Sequence, residues 1–275
     1  AIPVRYRPEL ARSLDNLGVY LSELGRPADA LPISQEAVDI RRELAAANPD
    51  RYRPDLASSL NNLGIRLSAL GRPADALPVT QQAADIYREL AAANPDRYRP
   101  DLAASLNNFC VQLFEVGRPA DALPISQEAV DIYRELAAAL PGRYRPDLAS
   151  SLDNLGVYLS ELGRPADALP ITQEAVDIRR ELAAAIPDRY RPDLAGSLNN
   201  LGILLSQLDR PADALPISQE AVDIYRQLAA AIPDRYRPNL ARSLHLLADI
   251  LTSLSAAAEA EQARSEAGAL LRELL

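Results

Sequence analysis

Leucines recur at Leu10, Leu14, Leu17, Leu21 and Leu24, and the residues between them are mostly polar. Spacings of three and four place these leucines on one stripe of an α-helix, with Arg12, Asn16, Val19 and Glu23 on the opposite side. Pro8 suits the first position of that helix, and Glu9 favours its positive end. Gly25 ends it, as glycine does at a C-terminal cap. Pro27 opens a second helix, in which Ala30, Ile33, Ala37, Ile40 and Leu44 repeat the same spacing until Pro49 stops it. The two helices are predicted to be roughly 17 and 21 residues long. The segment from Asn48 to Arg53 reads as a polar linker, except for Tyr52, whose ring is expected to tuck against the helix ends. Pro32 falls inside the second helix and recurs as Pro78, Pro124, Pro170 and Pro216. It predicts a small kink or a tightened first turn in each copy, because proline lacks the N–H that would bond one turn back.

The whole unit repeats. Arg-Tyr-Arg-Pro begins at Arg5, Arg51, Arg97, Arg143, Arg189 and Arg235, a period of 46 residues without one insertion. Such a period marks a solenoid, in which each unit buries its apolar face against its neighbours. The predicted fold is therefore all-α, a right-handed superhelical solenoid of antiparallel helix pairs. It is read as one domain, with full repeats at 5–50, 51–96, 97–142, 143–188 and 189–234 and an atypical sixth unit at 235–275. In that last unit the phrase Gly-Arg-Pro-Ala-Asp is missing, and Ala256 to Leu275 reads as one capping helix. Leu270, Leu271, Leu274 and Leu275 are candidates for contact with a further domain. The opening from Ala1 to Pro8 nearly matches the inter-repeat linker from Ala185 to Pro192, which predicts a piece of a longer protein that begins where an upstream repeat ended.

The pattern Leu14, Leu17-Gly18, Leu21, Ala30 and Ala37 resembles the tetratricopeptide repeat. The phrase Leu-Asn-Asn-Leu-Gly, followed by Gly-Arg and a long second helix, is similar to the longer-period variety found in kinesin light chains. The 46-residue period and the internal proline depart from the basic family. The resemblance implies protein or peptide binding on a concave face lined by first helices. The superhelix of O-GlcNAc transferase, which this array resembles, carries an asparagine ladder on its inner surface, and the resemblance implies one here at Asn16, Asn62, Asn108, Asn154 and Asn200.

The residues support the same candidates by a separate route. Asparagine is a mediocre helix residue, yet it recurs five times on a face that the core does not need. Its amide offers a donor and an acceptor, matching a peptide backbone. Plain inheritance through duplication, or bridging between adjacent first helices, would also account for the repetition. Residues 11–47 and 149–185 differ only at Arg12/Ser150 and Ser34/Thr172. The flanking positions Asp15, Asn61, Asn107, Asp153 and Asn199 join the candidate set. Glu23, Glu115 and Glu161 complete a mildly acidic groove suited to a basic or neutral peptide. Arg12 and Phe114 are candidates for selectivity, and Phe114 could equally be half-buried between repeats. Cys110 stands where other copies have glycine and is expected to be a buried small residue.

Composition narrows the classes. The net charge of −9 argues against nucleic acid. No apolar run approaches the roughly 18 residues of a membrane span. The single cysteine excludes an internal disulfide framework, and a cytoplasmic location is the expectation. His245 has no second ligand at metal spacing, and no nucleophile–base pair or phosphate loop is present. Catalysis, cofactors and metals are therefore not expected. The arginines of the repeated phrase should form a ridge, neutralised by Asp50, Asp55 and their equivalents. The alternative to peptide binding is a structural scaffold, or self-association through the repeat ends, within a larger bacterial signalling protein.

Overall fold

The computed structural model describes residues 4–272, and the sequence reading of Ala1-Ile2-Pro3 and of Leu274-Leu275 lies outside them. After a 3-10 turn at Val4–Tyr6, twelve helices follow among the described residues: α1 (Arg7–Glu23), α2 (Pro27–Ala47), α3 (Pro49–Ala69), α4 (Pro73–Ala93), α5 (Pro95–Glu115), α6 (Pro119–Ala139), α7 (Pro141–Glu161), α8 (Pro165–Ala185), α9 (Pro187–Gln207), α10 (Pro211–Ala231), α11 (Pro233–Ser253) and α12 (Ala257–Arg272). The chain falls into two compact units, residues 1–136 and 137–275. Within each, a first helix packs on the second helix of its own repeat, which packs in turn against the next first helix. First helices also touch one another, α1 with α3 and α3 with α5 in the first unit, α7 with α9 and α9 with α11 in the second.

The turn inside the first four repeats follows the sequence reading, and Asp209 takes the glycine's place in the fifth with φ 55°. Gly25, Gly71, Gly117 and Gly163 all adopt left-handed φ values near 70°, where a side chain would be strained. The N–H of Arg26 reaches back to the Leu21 carbonyl at 2.8 Å, closing the end of α1.

The connection between repeats differs from the predicted linker. Only one residue, such as Asn48, separates α2 from α3, and the Arg-Tyr-Arg-Pro phrase forms the opening of α3 itself. Both helices of a repeat therefore start on proline and carry a second proline five residues later, Pro27/Pro32 and Pro49/Pro54. The first turn of a helix has no internal partners for its N–H groups, so the first proline costs nothing there. The second removes only one backbone bond, and each helix continues through it.

The leucine stripe is buried where a repeat has neighbours on both sides: Leu56, Leu60, Leu63 and Leu67 are at most 6% exposed. In the second unit Leu194, Leu198, Leu201 and Leu205 join Val176, Val222, Leu244 and Leu251 in one core. α12 contributes Ala260, Ala263 and Ala267 to that core, and Leu270 packs beside them while Leu271 stays exposed. In α1 the stripe is partly open, with Leu17 and Leu24 exposed.

The arginine ridge is real but neutralised differently. Arg53, Arg99 and Arg145 pair with Glu89, Glu135 and Glu181 at 2.6 Å, on the second helix of the same repeat. The Asp55 carboxylate instead takes Arg41 at 2.5 Å. The other arginine of each phrase lies over the ring of the tyrosine beside it, as Arg97 does over Tyr98 at 4.9 Å. The tyrosines do tuck in: Tyr98, Tyr144, Tyr190 and Tyr236 are buried.

Candidate functional site

The two asparagine columns of the first helices have separate fates. The earlier position of each pair is tied to the next first helix. Ser59 donates to Asp15 at 2.7 Å, Ser105 to Asn61 at 3.0 Å and Ser197 to Asp153 at 2.6 Å, while Asn199 donates to Ser243 at 2.7 Å. Asn107 is half-buried at the equivalent place. Asp15 and Asp153 therefore sit between helices and do not supply the acidity expected of the groove. That acidity falls to Glu23, Glu115 and Glu161, all exposed, of which Glu115 accepts from Ser68 at 2.6 Å.

The later position is different. Asn62, Asn108, Asn154 and Asn200 are half-buried and Asn16 is exposed. The surface beside them is a groove of about 150 Å³ between α7 and α9. Val157, Ile203 and Leu204 give it apolar walls, Ser160, Glu161, Asn200 and Gln207 edge it, and Thr172 of α8 reaches it past Gly156. Phe114 is half-buried at the position that Ser68 and Ser160 occupy in other copies. Arg12 lies at another place, a cleft of about 280 Å³ with Arg41, Tyr52 and Asp55 where α1 and α3 begin.

Behind the groove, glycine lets the two helices of a repeat approach. A Cβ on Gly18 would stand 2.7 Å from Ser34 Oγ, and one on Gly156 would collide with Thr172 Oγ1. We expect Gly156→Ala to lower the stability of the second unit by about 1–2 kcal/mol in denaturant melts, and Thr172→Ala to restore it. Full stability in the single variant would show that the helices part freely. In the third repeat Cys110 replaces this glycine and is fully buried. Its thiol donates to the Ala122 carbonyl at 3.4 Å, the acceptor one turn before Ser126, whose own hydroxyl is left unpaired. Burial pushes the thiol pKa up to about 12, with Glu128 adding to the rise, so it is not a reactive nucleophile.

Sequence reasoning missed the partner of the Asp15 column. Asp15 and Asp153 occur with Arg41 and Arg179 on the second helix, whereas Asn61, Asn107 and Asn199 occur with Tyr87, Tyr133 and Tyr225. This covariation between copies was the available signal. Arg179 Nη2 lies 3.7 Å from Asp153 and Arg41 Nε 3.9 Å from Asp15, and each arginine also reaches an aspartate in the second turn of the next first helix, Asp193 of α9 or Asp55 of α3. Among the described residues no group of three or more His, Cys, Asp and Glu is placed to hold a metal, and no helix is long and apolar enough to cross a membrane.

Two profiles of the tetratricopeptide repeat match the chain, one over residues 101–181 and the other over residues 10–50, 56–96 and 194–230. No curated protein sequence matches it. Among solved structures, BtubC (BKLC) from P. vanneervenii is similar over 89% of this chain and 90% of its own, with a TM-score of 0.69 at 18% identity. A kinesin light chain structure from Podosopora anserina, described as having nearly identical TPR-like repeats, covers 80% of this chain and 97% of its own, with a TM-score of 0.60 at 18% identity. The apo form of RapI covers 96% and 98%, with a TM-score of 0.64 at 11% identity. These likenesses concern the fold. Repeats of this kind are generally protein–protein interaction modules and typically non-catalytic scaffolds. With stacked helix pairs, glycine-capped turns and matches along most of its length, the chain belongs to the tetratricopeptide repeat family, in its kinesin-light-chain-like variety.

Proposed function

We propose that the chain is a non-catalytic, cytoplasmic binding module that holds an extended peptide along its first helices through Asn16, Asn62, Asn108, Asn154 and Asn200. The observation that supports this most is the contrast between the two columns. Asp15, Asn61, Asp153 and Asn199 are occupied by serines of the next repeat, whereas the amides one residue later make no hydrogen bond within the described residues. Packed helices stand about 8–10 Å apart and an extended chain advances about 3.3 Å per residue. Within each unit, one amide thus addresses about every third peptide residue, largely independent of sequence. Phe114, Glu115, Glu23 and Glu161 would then supply selectivity in the groove, and Arg12, in its separate cleft at the start of α1, would add to it only for a segment long enough to reach there.

The test is a peptide-library screen of the native chain against an Asn62→Ala, Asn108→Ala, Asn154→Ala variant, with circular dichroism matching their helicity. We expect the native chain to retain peptides and the variant to lose them. Equal binding by both would remove the ladder. A second reading is self-association through the repeat ends. It predicts that the same variant still associates.

A further inference from the structure

At one surface position the three repeat junctions of the second unit differ from the two described junctions of the first. The single residue between repeats is Asn48 before α3 and Asn94 before α5, and each side chain caps its helix by accepting from the N–H of Arg51 or Arg97. Before α7, α9 and α11 it is Leu140, Ile186 and Ile232, which make no side-chain cap and are 54%, 50% and 50% exposed. Three successive repeats have thus given up a stabilising cap and placed a large aliphatic side chain in water. A lone exposed leucine needs no explanation, but the same exchange in three repeats in a row does.

Three residues beyond each aliphatic stands an arginine. Arg143, Arg189 and Arg235 are exposed, and their guanidinium carbons lie 4.9, 5.1 and 5.2 Å from the ring centres of Tyr144, Tyr190 and Tyr236. The rings are buried, so each guanidinium carbon stands over a fixed aromatic platform. None of the three makes an ion pair within the described residues, unlike Arg145, which is paired with Glu181. The three helix starts add positive potential to this edge. Asp188 and Asp234 in the first turns of α9 and α11 offset part of it, whereas Gly142 leaves the start of α7 without that charge.

We propose that this edge of the second unit docks an acidic protein segment bearing aliphatic side chains, with its carboxylates on Arg143, Arg189 and Arg235 and its aliphatics on Leu140, Ile186 and Ile232. Charge complementarity selects the occupant. Guanidinium groups without an ion pair ask for anions, although the Asp147 carboxylate one turn beyond Arg143 offsets part of its charge, and the aliphatic beside each favours a protein over a phosphate backbone. The surface lies at the helix starts, away from the asparagine column at mid-helix, and is independent of the groove.

The test uses the full chain and a short synthetic peptide of leucine and glutamate, read by fluorescence anisotropy. With this edge intact the chain should bind it. Leu140→Asn, Ile186→Asn, Ile232→Asn together restore the residue that caps α3 and α5, so that variant should melt at the same temperature or higher while binding about tenfold more weakly. Arg143→Gln, Arg189→Gln, Arg235→Gln together should weaken binding and flatten its salt dependence. All of these measurements are made in the Asn62→Ala, Asn108→Ala, Asn154→Ala background, so that capture of the peptide by the groove does not contribute and the failure of either reading is seen separately. The proposal falls if the chain with this edge intact ignores the peptide, prefers a leucine–lysine one, or binds it equally after the exchange at Leu140, Ile186 and Ile232. It falls equally if anionic lipid vesicles are bound and the peptide is not.

Discussion

Replacing Arg179 with tyrosine is expected to destabilise the second unit by about 3 kcal/mol, and adding Asp153→Asn is expected to restore most of that loss. Asp153 is enclosed between α7, α8 and α9, and one of its carboxylate oxygens has no hydrogen-bond partner. Its other oxygen accepts from Ser197 and faces Arg179, so removing the arginine leaves a buried charge with only a hydroxyl beside it. Asparagine with tyrosine is what the second, third and fifth repeats carry at these two places. A double-mutant cycle in urea measures the coupling. Simple addition of the two single effects would show that the pair does not act as a unit.

The same group sets a pH dependence. Burial raises the Asp153 pKa from 3.8 to about 6, against the lowering influences of Ser197 and Arg179. The folded chain thus holds this proton more tightly than the unfolded chain. The contribution to stability is greatest below the ordinary carboxylate value and declines as pH rises through about 6, by about 3 kcal/mol in all. Asp15 is shifted in the same direction, also mainly by burial. In the double variant the decline due to Asp153 should vanish between about pH 4 and 6. A profile of the same slope would place the titration elsewhere.

Replacing Arg66 with leucine is expected to stabilise the first unit by about 2 kcal/mol. Arg66 is 3% exposed, and its Nε donates to the Gly18 carbonyl at 3.2 Å. Burial lowers its pKa, with Asp15 as the charge that opposes the fall. Other copies of this position hold Tyr158, Leu204 and Ile250, all nearly fully buried, so an apolar side chain fits the same space. An apolar replacement removes the desolvation of a guanidinium and leaves no orphaned carboxylate, since Asp15 keeps Ser59 and Arg41. Hydrogen exchange of the α3 amides reads the effect locally. Faster exchange in the variant would mean that Arg66 holds the repeats together.

Helix identity and the turn glycine could both be read from spacing, because a helix shows its buried stripe in its own residues. The glycine at the close approach was equally legible from Cys110, which could replace it only as a small buried residue. The start of each first helix was not. Pro54 read as a helix opening, since proline marks that place so often, and only the structure puts Pro49 there. The candidate site divided in the same way. Its asparagine face came from the wheel, but nothing local separates Asn61, bonded to Ser105, from Asn62 beside it.

What sequence alone determined here is the unit: two helices, their ends, and a period that obliges copies to stack. What only the tertiary structure decided is what each copied residue does. Residues 11–47 and 149–185 are almost the same string, yet Tyr20 is 62% exposed and Tyr158 is 2% exposed. Leu17 and Leu155 differ as widely, at 45% and 1%. The reason is that a solenoid repeat buries its face only against the repeat beside it, so the environment of a side chain is written in its neighbour.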